Sequence, residues 1–456
     1  MKSRKDRPGG ISRRQFLTTT GAALAALHVV PRHVLGGTGY RAPSDTLNIA
    51  SVGCGGKGHT DVNGVRGENI VALCDVDAVR AAETFAEFPD VKKYTDWRRM
   101  LEQETGIDAV TVTTPDHNHA MIGMAAIQLG KHVFVQKPLT HTIQEARKLA
   151  QAAREAGVAT QMGNQGHAGE GNRLICEWMW DGAIGPVHEA VAWTNRPKGY
   201  WPQGEHVTKP MEIPSVPSTM NWDVWVGPAP YRPYHPAYAP HDWRGWWDFG
   251  CGAIGDMACH IMDTPYWALK LGHPDAVHAS STPFNHQTYP LASIVRYNFP
   301  AREGMPPAKL TWYDGGMMPE RPVELEPGRK MGDDDGGVLL IGEKGTIMCG
   351  CYGRNPRLIP ESKMQAYTQP AKTIPRSHGI YQGWIDACKG GRPASSNFDY
   401  AGPLTETALL GNLAIRFQDR DMKLEWDGEN MRVTNLPEAN DWMAQQNEYR
   451  PGWSLA

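Results

Sequence analysis

The chain reads as α/β: a doubly wound parallel sheet comes first, and an α+β domain with a mixed or antiparallel open sheet follows it. Three observations carry this expectation. Apolar runs of strand length alternate with helical patterns from Leu47 to Met162. A glycine-rich turn joins the first strand to the first helix, and past Gly163 proline, glycine and aromatic residues take over before strands return. Such alternation implies right-handed crossovers and a parallel sheet. Ligands of such sheets sit at the carboxyl ends of the strands.

The first apolar run holds Leu47, Ile49, Ala50 and Val52, and it gives way to Gly53-Cys54-Gly55-Gly56-Lys57-Gly58. A second run, Ile70–Leu73, ends at Cys74-Asp75. Strand, glycine turn, helix start, strand and acid is the order that a dinucleotide-binding βαβ unit, a Rossmann unit, demands. Gly53 permits the tight turn, Gly55 lets the backbone approach a pyrophosphate, and Gly58 lets the helix pack on the strand. The helix N-terminus then faces the anion. Asp75 is placed to accept from both ribose hydroxyls and to repel a 2′-phosphate, so the expected cofactor is NAD in preference to NADP.

Helices are expected over Ala78–Phe88, Asp96–Leu101 and His117–Leu129, the last stopped by Gly130. Ala109–Thr113, His132–Val135 and Val158–Met162 read as strands. Thr142-Ile143-Gln144-Glu145 is a capping box that opens a helix running to about Ala156. Asp116 and Lys137 fall at strand ends. In the second region Asn172–Trp180, Tyr381–Lys389 and Thr405–Arg416 read as helices. Val187–Trp193, Ser293–Asn298, Ala308–Tyr313, Gly337–Ile341 and Gly345–Cys349 read as strands.

Residues 1–40 read as an address. Basic residues Lys2, Arg4, Lys5 and Arg7 precede Ser12-Arg13-Arg14-Gln15-Phe16-Leu17 and a mildly apolar stretch to Val30. The pattern matches a twin-arginine export signal, with Thr18 where the consensus has lysine. The domains expected are a signal peptide at 1–40, a nucleotide-binding domain at 45–165, a substrate and oligomerisation domain at 166–435, and a tail at 436–456. An exported, periplasmic protein with no stable membrane insertion after signal removal follows, because no later segment is long and apolar enough to span a bilayer. The 46 basic and 49 acidic residues leave a net charge of −3, which gives no argument for nucleic acid or an anionic membrane. None of the eight cysteines forms a CxxC pair, and Cys349-Gly350-Cys351 fits in or beside a strand better than a zinc site. Tryptophans concentrate between Trp178 and Trp267, as a sugar-facing surface would have them, although any single one is more simply a core residue.

Three groups of residues are candidates for chemistry. Asp256 and His260, spaced i, i+4, share a helix face, where a carboxylate orients an imidazole for acid–base work. The bland alternative is a first-turn acid with a capping histidine. Lys137 at a strand end is held by hydrogen bonds beside a nucleotide. A metal set of His260, Asp256, Asp263 and His167 lacks standard spacing, and no metal is expected. His117 and His119 either line the cofactor cleft or, more simply, face solvent at a helix start.

Gly53–Gly58, Asp75, Thr114-Pro115-x-x-x-His119, Gln136-Lys137-Pro138, Asp256-x-x-x-His260 and Ile341–Thr346 together resemble the Gfo/Idh/MocA oxidoreductase family. The resemblance runs from Leu47 to about Trp426. It implies a Rossmann domain, a C-terminal domain whose open sheet mediates homo-oligomers, and a cofactor site that includes Gly56, Thr114, Pro115, His119, Gln136 and Lys137. It also implies that Lys137 contacts substrate and cofactor, and that His260, paired with Asp256, takes the proton from the hydroxyl being oxidised. One position departs: the glutamate of the family's E-K-P motif is Gln136 here. The reaction implied is hydride transfer from a sugar or polyol to tightly held NAD. Composition and position make Arg244, Trp246, Trp247 and Tyr381 candidate substrate walls. Export in the folded state suits a cofactor loaded in the cytoplasm and reoxidised within each cycle. Two alternatives use the same residues: a redox-neutral cleavage of a glycoside, and a non-catalytic sugar binder.

Overall fold

The computed structural model of the protein describes residues 45–455; the leader read over 1–40 lies outside them. Six strands pair in parallel: β1 (Asn48–Val52), β2 (Asn69–Cys74), β3 (Lys92–Tyr94), β4 (Ala109–Val112), β5 (His132–Val135) and β6 (Thr160–Met162). Their order is β3-β2-β1-β4-β5-β6. The central strands are buried on both faces, which is why they read as unbroken apolar runs. Helices α1 (Lys57–Gly64), α2 (Ala82–Glu87), α3 (Trp97–Gln103), α4 (Asp116–Gln128) and α5 (Ile143–Ala156) connect them. The strand order reverses between β1 and β4, and this opens a crevice at their carboxyl ends.

Local chemistry sets several helix boundaries. Asp96 caps α3 by accepting from the Arg98 N–H, and Thr142 and Glu145 close both halves of the capping box of α5. The helix expected from Ala78 starts instead at Ala82. Asp77 Oδ1 accepts from the N–H groups of Val79 and Arg80, a side-chain turn that competes with helix there.

The second sheet has nine strands. They are β7 (Val187–Thr194), β8 (Ala276–Ser281), β9 (Ser293–Phe299), β10 (Ala308–Tyr313), β11 (Gly336–Gly342), β12 (Gly345–Gly350), β13 (Arg357–Ile359), β14 (Leu424–Asp427) and β15 (Arg432–Val433). Their order is β13-β12-β11-β7-β10-β9-β8-β14-β15, and β7 pairs with β10 in parallel while the other pairs are antiparallel. The remaining helices are α6 (Glu170–Trp180), α7 (Trp222–Val226), α8 (Gly252–Ile261), α9 (Asp263–Ala268), α10 (Glu361–Ala366), α11 (Ile380–Cys388), α12 (Phe398–Arg416) and α13 (Pro437–Gln445). Helices α8 and α12 pack on each other and on the same sheet. Leu325 and Met331 cover its opposite face over Val191, Trp193 and Leu339.

Helix α12 begins seven residues before the expected Thr405. Asn397 caps it, and Pro403 falls in its second turn, where it has no N–H to donate back to the Asp399 carbonyl. Helix α11, read with the second domain, packs Ile380, Trp384 and Ile385 against Ile49, Leu73 and Phe134 of the parallel sheet. Residues 436–455 also fold back: Leu455 is buried, and the Tyr449 hydroxyl donates to Glu145 Oε1 at 3.1 Å.

Candidate active site

The glycine turn is sterically obligatory. Gly53 has φ +81, and a Cβ on it would lie 2.3 Å from the Thr113 carbonyl oxygen. A Cβ on Gly58 would lie 2.0 Å from the Gly53 carbonyl oxygen, so α1 can approach β1 this closely only without a side chain there. Gly56 also has positive φ, and the Arg80 guanidinium occupies the space a Cβ would take.

Asp75, at the end of β2, anchors this turn. Its Oδ2 accepts from the Cys54 N–H at 2.7 Å and the Gly55 N–H at 3.2 Å, and Oδ1 accepts from the Asp77 N–H at 2.9 Å. Burial raises its pKa against the pull of those three N–H groups. A carboxylate offers about four acceptor positions, so Asp75 keeps room for one further donor.

At the other end of the cleft, Lys137 follows β5 and meets α8. Its ammonium donates to Asp256 Oδ1 at 2.7 Å and to the Asp256 main-chain oxygen at 2.8 Å. Arg244 Nη1 stands 3.3 Å from Asp256 Oδ1, and Arg196 Nε stands 3.9 Å from Oδ2. Burial pushes the Asp256 carboxyl up, but Lys137 and Arg244 outweigh it and hold the group well below the usual carboxylate range. Asp256 thus serves the lysine and arginines rather than orienting His260. The imidazole of His260 is driven to its neutral form first by burial and then by the Lys137 charge, with Asp256 opposing. Its Nδ1 is buried with no hydrogen-bond partner, and its ring meets Tyr352 edge-on at 4.7 Å.

A cleft of about 350 Å³ joins the two ends. Gly53, Gly55, Asp75, Thr114, Pro115, His119, Gln136, Lys137, Arg244, Asp256 and His260 all line it. His119 is buried, with Nδ1 2.8 Å from the Pro138 carbonyl and Nε2 2.8 Å from the Thr114 carbonyl, and its neutral ring donates to one of the two. Burial lowers its pKa to about 4 and that of His117 to about 3. The solvent-facing reading of both histidines is therefore corrected: α4 is buried nearly all round, its polar first turn included.

Three expected substrate walls stand elsewhere. Tyr381 stacks on Phe134 and donates to Asp61 under the glycine turn. Trp246 sits in an aromatic cluster, its indole N–H on the Ala237 carbonyl. Trp247 stacks on Tyr289, facing a separate cavity. The four residues weighed as a metal set divide, since His167 Nδ1 meets Asp263 Oδ1 at 2.9 Å while Asp256 and His260 face the cleft.

Sequence reasoning passed over Arg196, Tyr352 and Trp243, which line the same cleft. Tyr352 carries φ +64, rare for a non-glycine residue and a mark of backbone strain at a site. Asp116, noted at a strand end, accepts from the Cys251 N–H through Oδ2 at 3.1 Å, and its Oδ1 has no partner. Burial raises its pKa to about 6 although Arg244 and Lys137 pull it down. A Cβ-free cradle at one end and three buried, unpartnered polar atoms (Thr114 Oγ1, Asp116 Oδ1, His260 Nδ1) along the same wall fit a dinucleotide with a polar substrate beside it.

Residues 47–164 match the model of the Gfo/Idh/MocA oxidoreductase family described as its NAD-binding Rossmann fold. Residues 189–287 match that family's C-terminal alpha/beta domain. Similar curated proteins include a 1,5-anhydro-D-fructose reductase of Ensifer adhaerens, 26% identical over 46% of this chain and 52% of the relative. A levoglucosan dehydrogenase of Pseudarthrobacter phenanthrenivorans is 29% identical over 42% of this chain and 40% of the relative. The chain thus aligns with about half or less of these relatives' length. Among solved structures, the WlbA dehydrogenase of Bordetella pertussis in complex with NADH and UDP-GlcNAcA has a TM-score of 0.57 at 19% identity, covering 84% of this chain and 99% of its own. A levoglucosan dehydrogenase in complex with NADH has a TM-score of 0.54 at 17% identity, covering 83% and 99%. These two share the fold.

Proposed function

We propose that this chain is a Gfo/Idh/MocA-type oxidoreductase that moves hydride between a sugar or polyol carbon and NAD. The observation that carries the reading is one cleft holding the glycine turn, the Lys137–Asp256 ion pair and a neutral His260. When bound, the nicotinamide supplies the hydride acceptor. His260, neutral and with a free ring nitrogen, accepts the hydroxyl proton as the neighbouring C–H leaves with its electron pair. Lys137 holds positive charge where the oxygen turns negative, and Asp256, Arg244 and Arg196 fix the position of that charge. The twin-arginine leader completes the proposal: a folded, exported homo-oligomer that carries its cofactor with it.

Asp75 places negative charge at the end of β2, so NAD is the expected occupant. Acid extraction of protein purified from the cytoplasm, followed by identification of the released nucleotide, tests this. NADP in the extract overturns it.

A second reading has its own observation. Asp116, unpartnered at Oδ1 and with a pKa near 6, is a carboxyl able to hold a proton in the same cleft. A glycoside oxidised two carbons from its leaving group loses the acidified C–H proton between them to a solvent-exchanging base and expels the aglycone oxygen, which Asp116 would protonate; water then adds across the new double bond, and hydride returns to the ketone. A panel of free sugars, polyols and glycosides, given without added NAD and followed at about 340 nm and by product analysis, separates the readings. The dehydrogenase reduces its bound cofactor once and stops until an acceptor sugar arrives. The glycoside-cleaving enzyme turns over repeatedly, with little net reduction, and exchanges a sugar C–H for solvent deuterium. Sugar binding with no change of either kind leaves only a binder.

A further inference from the structure

Gln136 stands where the family motif carries a carboxylate, and the structure puts a different carboxylate against it. Asp61, on α1 three residues past the glycine turn, is fully buried. Its Oδ2 accepts from Gln136 Nε2 at 2.8 Å and from Thr113 Oγ1 at 2.7 Å. Its Oδ1 accepts from the Tyr381 hydroxyl at 2.7 Å and meets Lys57 Nζ at 2.8 Å. Four donors thus converge on one buried carboxylate: Lys57 one turn back on α1, the end of β4, the end of β5 and helix α11.

A glutamate at 136 would bring a second carboxylate to about the reach of that 2.8 Å contact. Two carboxylates sharing a dry site cannot both ionise, and one must take up a proton. The glutamine is therefore what a buried Asp61 requires, and its amide N–H turns a repulsion into a hydrogen bond. Gln136 in turn accepts from the Lys137 N–H through Oε1, at 3.3 Å. The chain of contacts runs from Lys57 at the start of α1, through Asp61 and Gln136, to the backbone of Lys137.

We propose that Asp61 is a positioning residue that supplies, from helix α1, the negative charge missing at 136, and that it sets Lys137 and the glycine turn relative to each other. The functional half of this inference rests on the nucleotide-site reading above; the electrostatic half does not.

The test is a charge-swap cycle of Gln136→Glu, Asp61→Asn and the double variant, each melted at pH 5 and pH 8 and assayed for bound nucleotide and turnover. In Gln136→Glu the folded pair holds a proton that both free carboxylates have lost by pH 8. A group whose pKa is raised on folding contributes stability at low pH and loses it as pH rises, so this variant melts lower than the parent by on the order of 5 °C at pH 8 and close to it at pH 5. The double variant restores one carboxylate facing one amide, and it recovers most of the pH 8 melting temperature, the nucleotide and the turnover. An unchanged melting temperature for Gln136→Glu at both pH values, or a double variant as poor as its two parents combined, overturns the proposal. Recovery of stability without recovery of nucleotide or turnover overturns only the positioning role and leaves the charge pairing. If no substrate is ever found, the two melting curves still decide the electrostatic half.

Discussion

Replacement of His260 by alanine lowers turnover by roughly 10²–10⁴-fold, the usual scale for a positioned acid–base group, and leaves the bound nucleotide in place. His260 is 3% exposed on α8, at the opposite end of the cleft from the glycine turn, so its loss takes a base from the reacting end and no contact from the cradle. Burial and the Lys137 charge keep the ring neutral. The parent enzyme should therefore show no loss of kcat/KM that follows an imidazole titration near pH 6.5. A pH–rate profile and a nucleotide assay on the two proteins check this. An alanine variant within a factor of ten of the parent places the proton acceptor elsewhere. The same burial has a consequence for stability. His117 and His119, with pKa values of about 3 and about 4, stay neutral in the fold but take up protons when unfolded. The fold then loses stability as pH falls below the ordinary histidine value, and regains it above.

The first sheet was readable because its signals are local. Each central strand is buried on both faces and so appears as an apolar run. The glycine turn is fixed by backbone collisions at Gly53 and Gly58 that no other residue relieves. What the sequence concealed was long-range. Helix α11 lies some 220 residues beyond β6 in the chain's own numbering, yet it packs beneath β1, and no pattern within Ile380–Cys388 states which sheet its apolar face will meet. Short edge strands such as β13 and β15 carry too few residues for a period to emerge.

The site divides in the same way. Motif residues fell into the cleft, Asp75, Thr114 and Lys137 from strand ends and Asp256 and His260 from α8. Residues chosen for their type did not. Trp246 and Trp247 are adjacent, and both bury their rings, one against Tyr238 and the other against Tyr289, because indole serves a core as well as it serves a sugar. Asp61 was silent for a different reason. A single aspartate in a helix looks solvated until Thr113, Gln136 and Tyr381 arrive from distant parts of the chain.

Lys137→Ala is expected to cost turnover on the same scale as the histidine variant, roughly 10²–10⁴-fold, with a second signature that a merely structural lysine lacks. The fold should survive the change. Asp256 keeps Arg244 Nη1 at 3.3 Å and Arg196 Nε at 3.9 Å, so its carboxylate is not left buried without a cation. What goes is the charge that would meet the developing oxyanion. The Lys137 ammonium is also the second cause, after burial, that holds His260 neutral, while Asp256 pulls the other way. Without the lysine, the balance at His260 moves toward the protonated form. As pH falls, the base is then lost sooner, and the residual activity of Lys137→Ala declines on its acid side at a higher pH than the parent's. Turnover measured from pH 5 to pH 9 on both proteins, at saturating substrate and equal nucleotide content, reads the two effects separately. A variant with depressed turnover and an unshifted acid limb retains Lys137 as an electrostatic partner of the substrate but not as the group that tunes His260. A variant with undiminished turnover removes the lysine from the chemistry altogether.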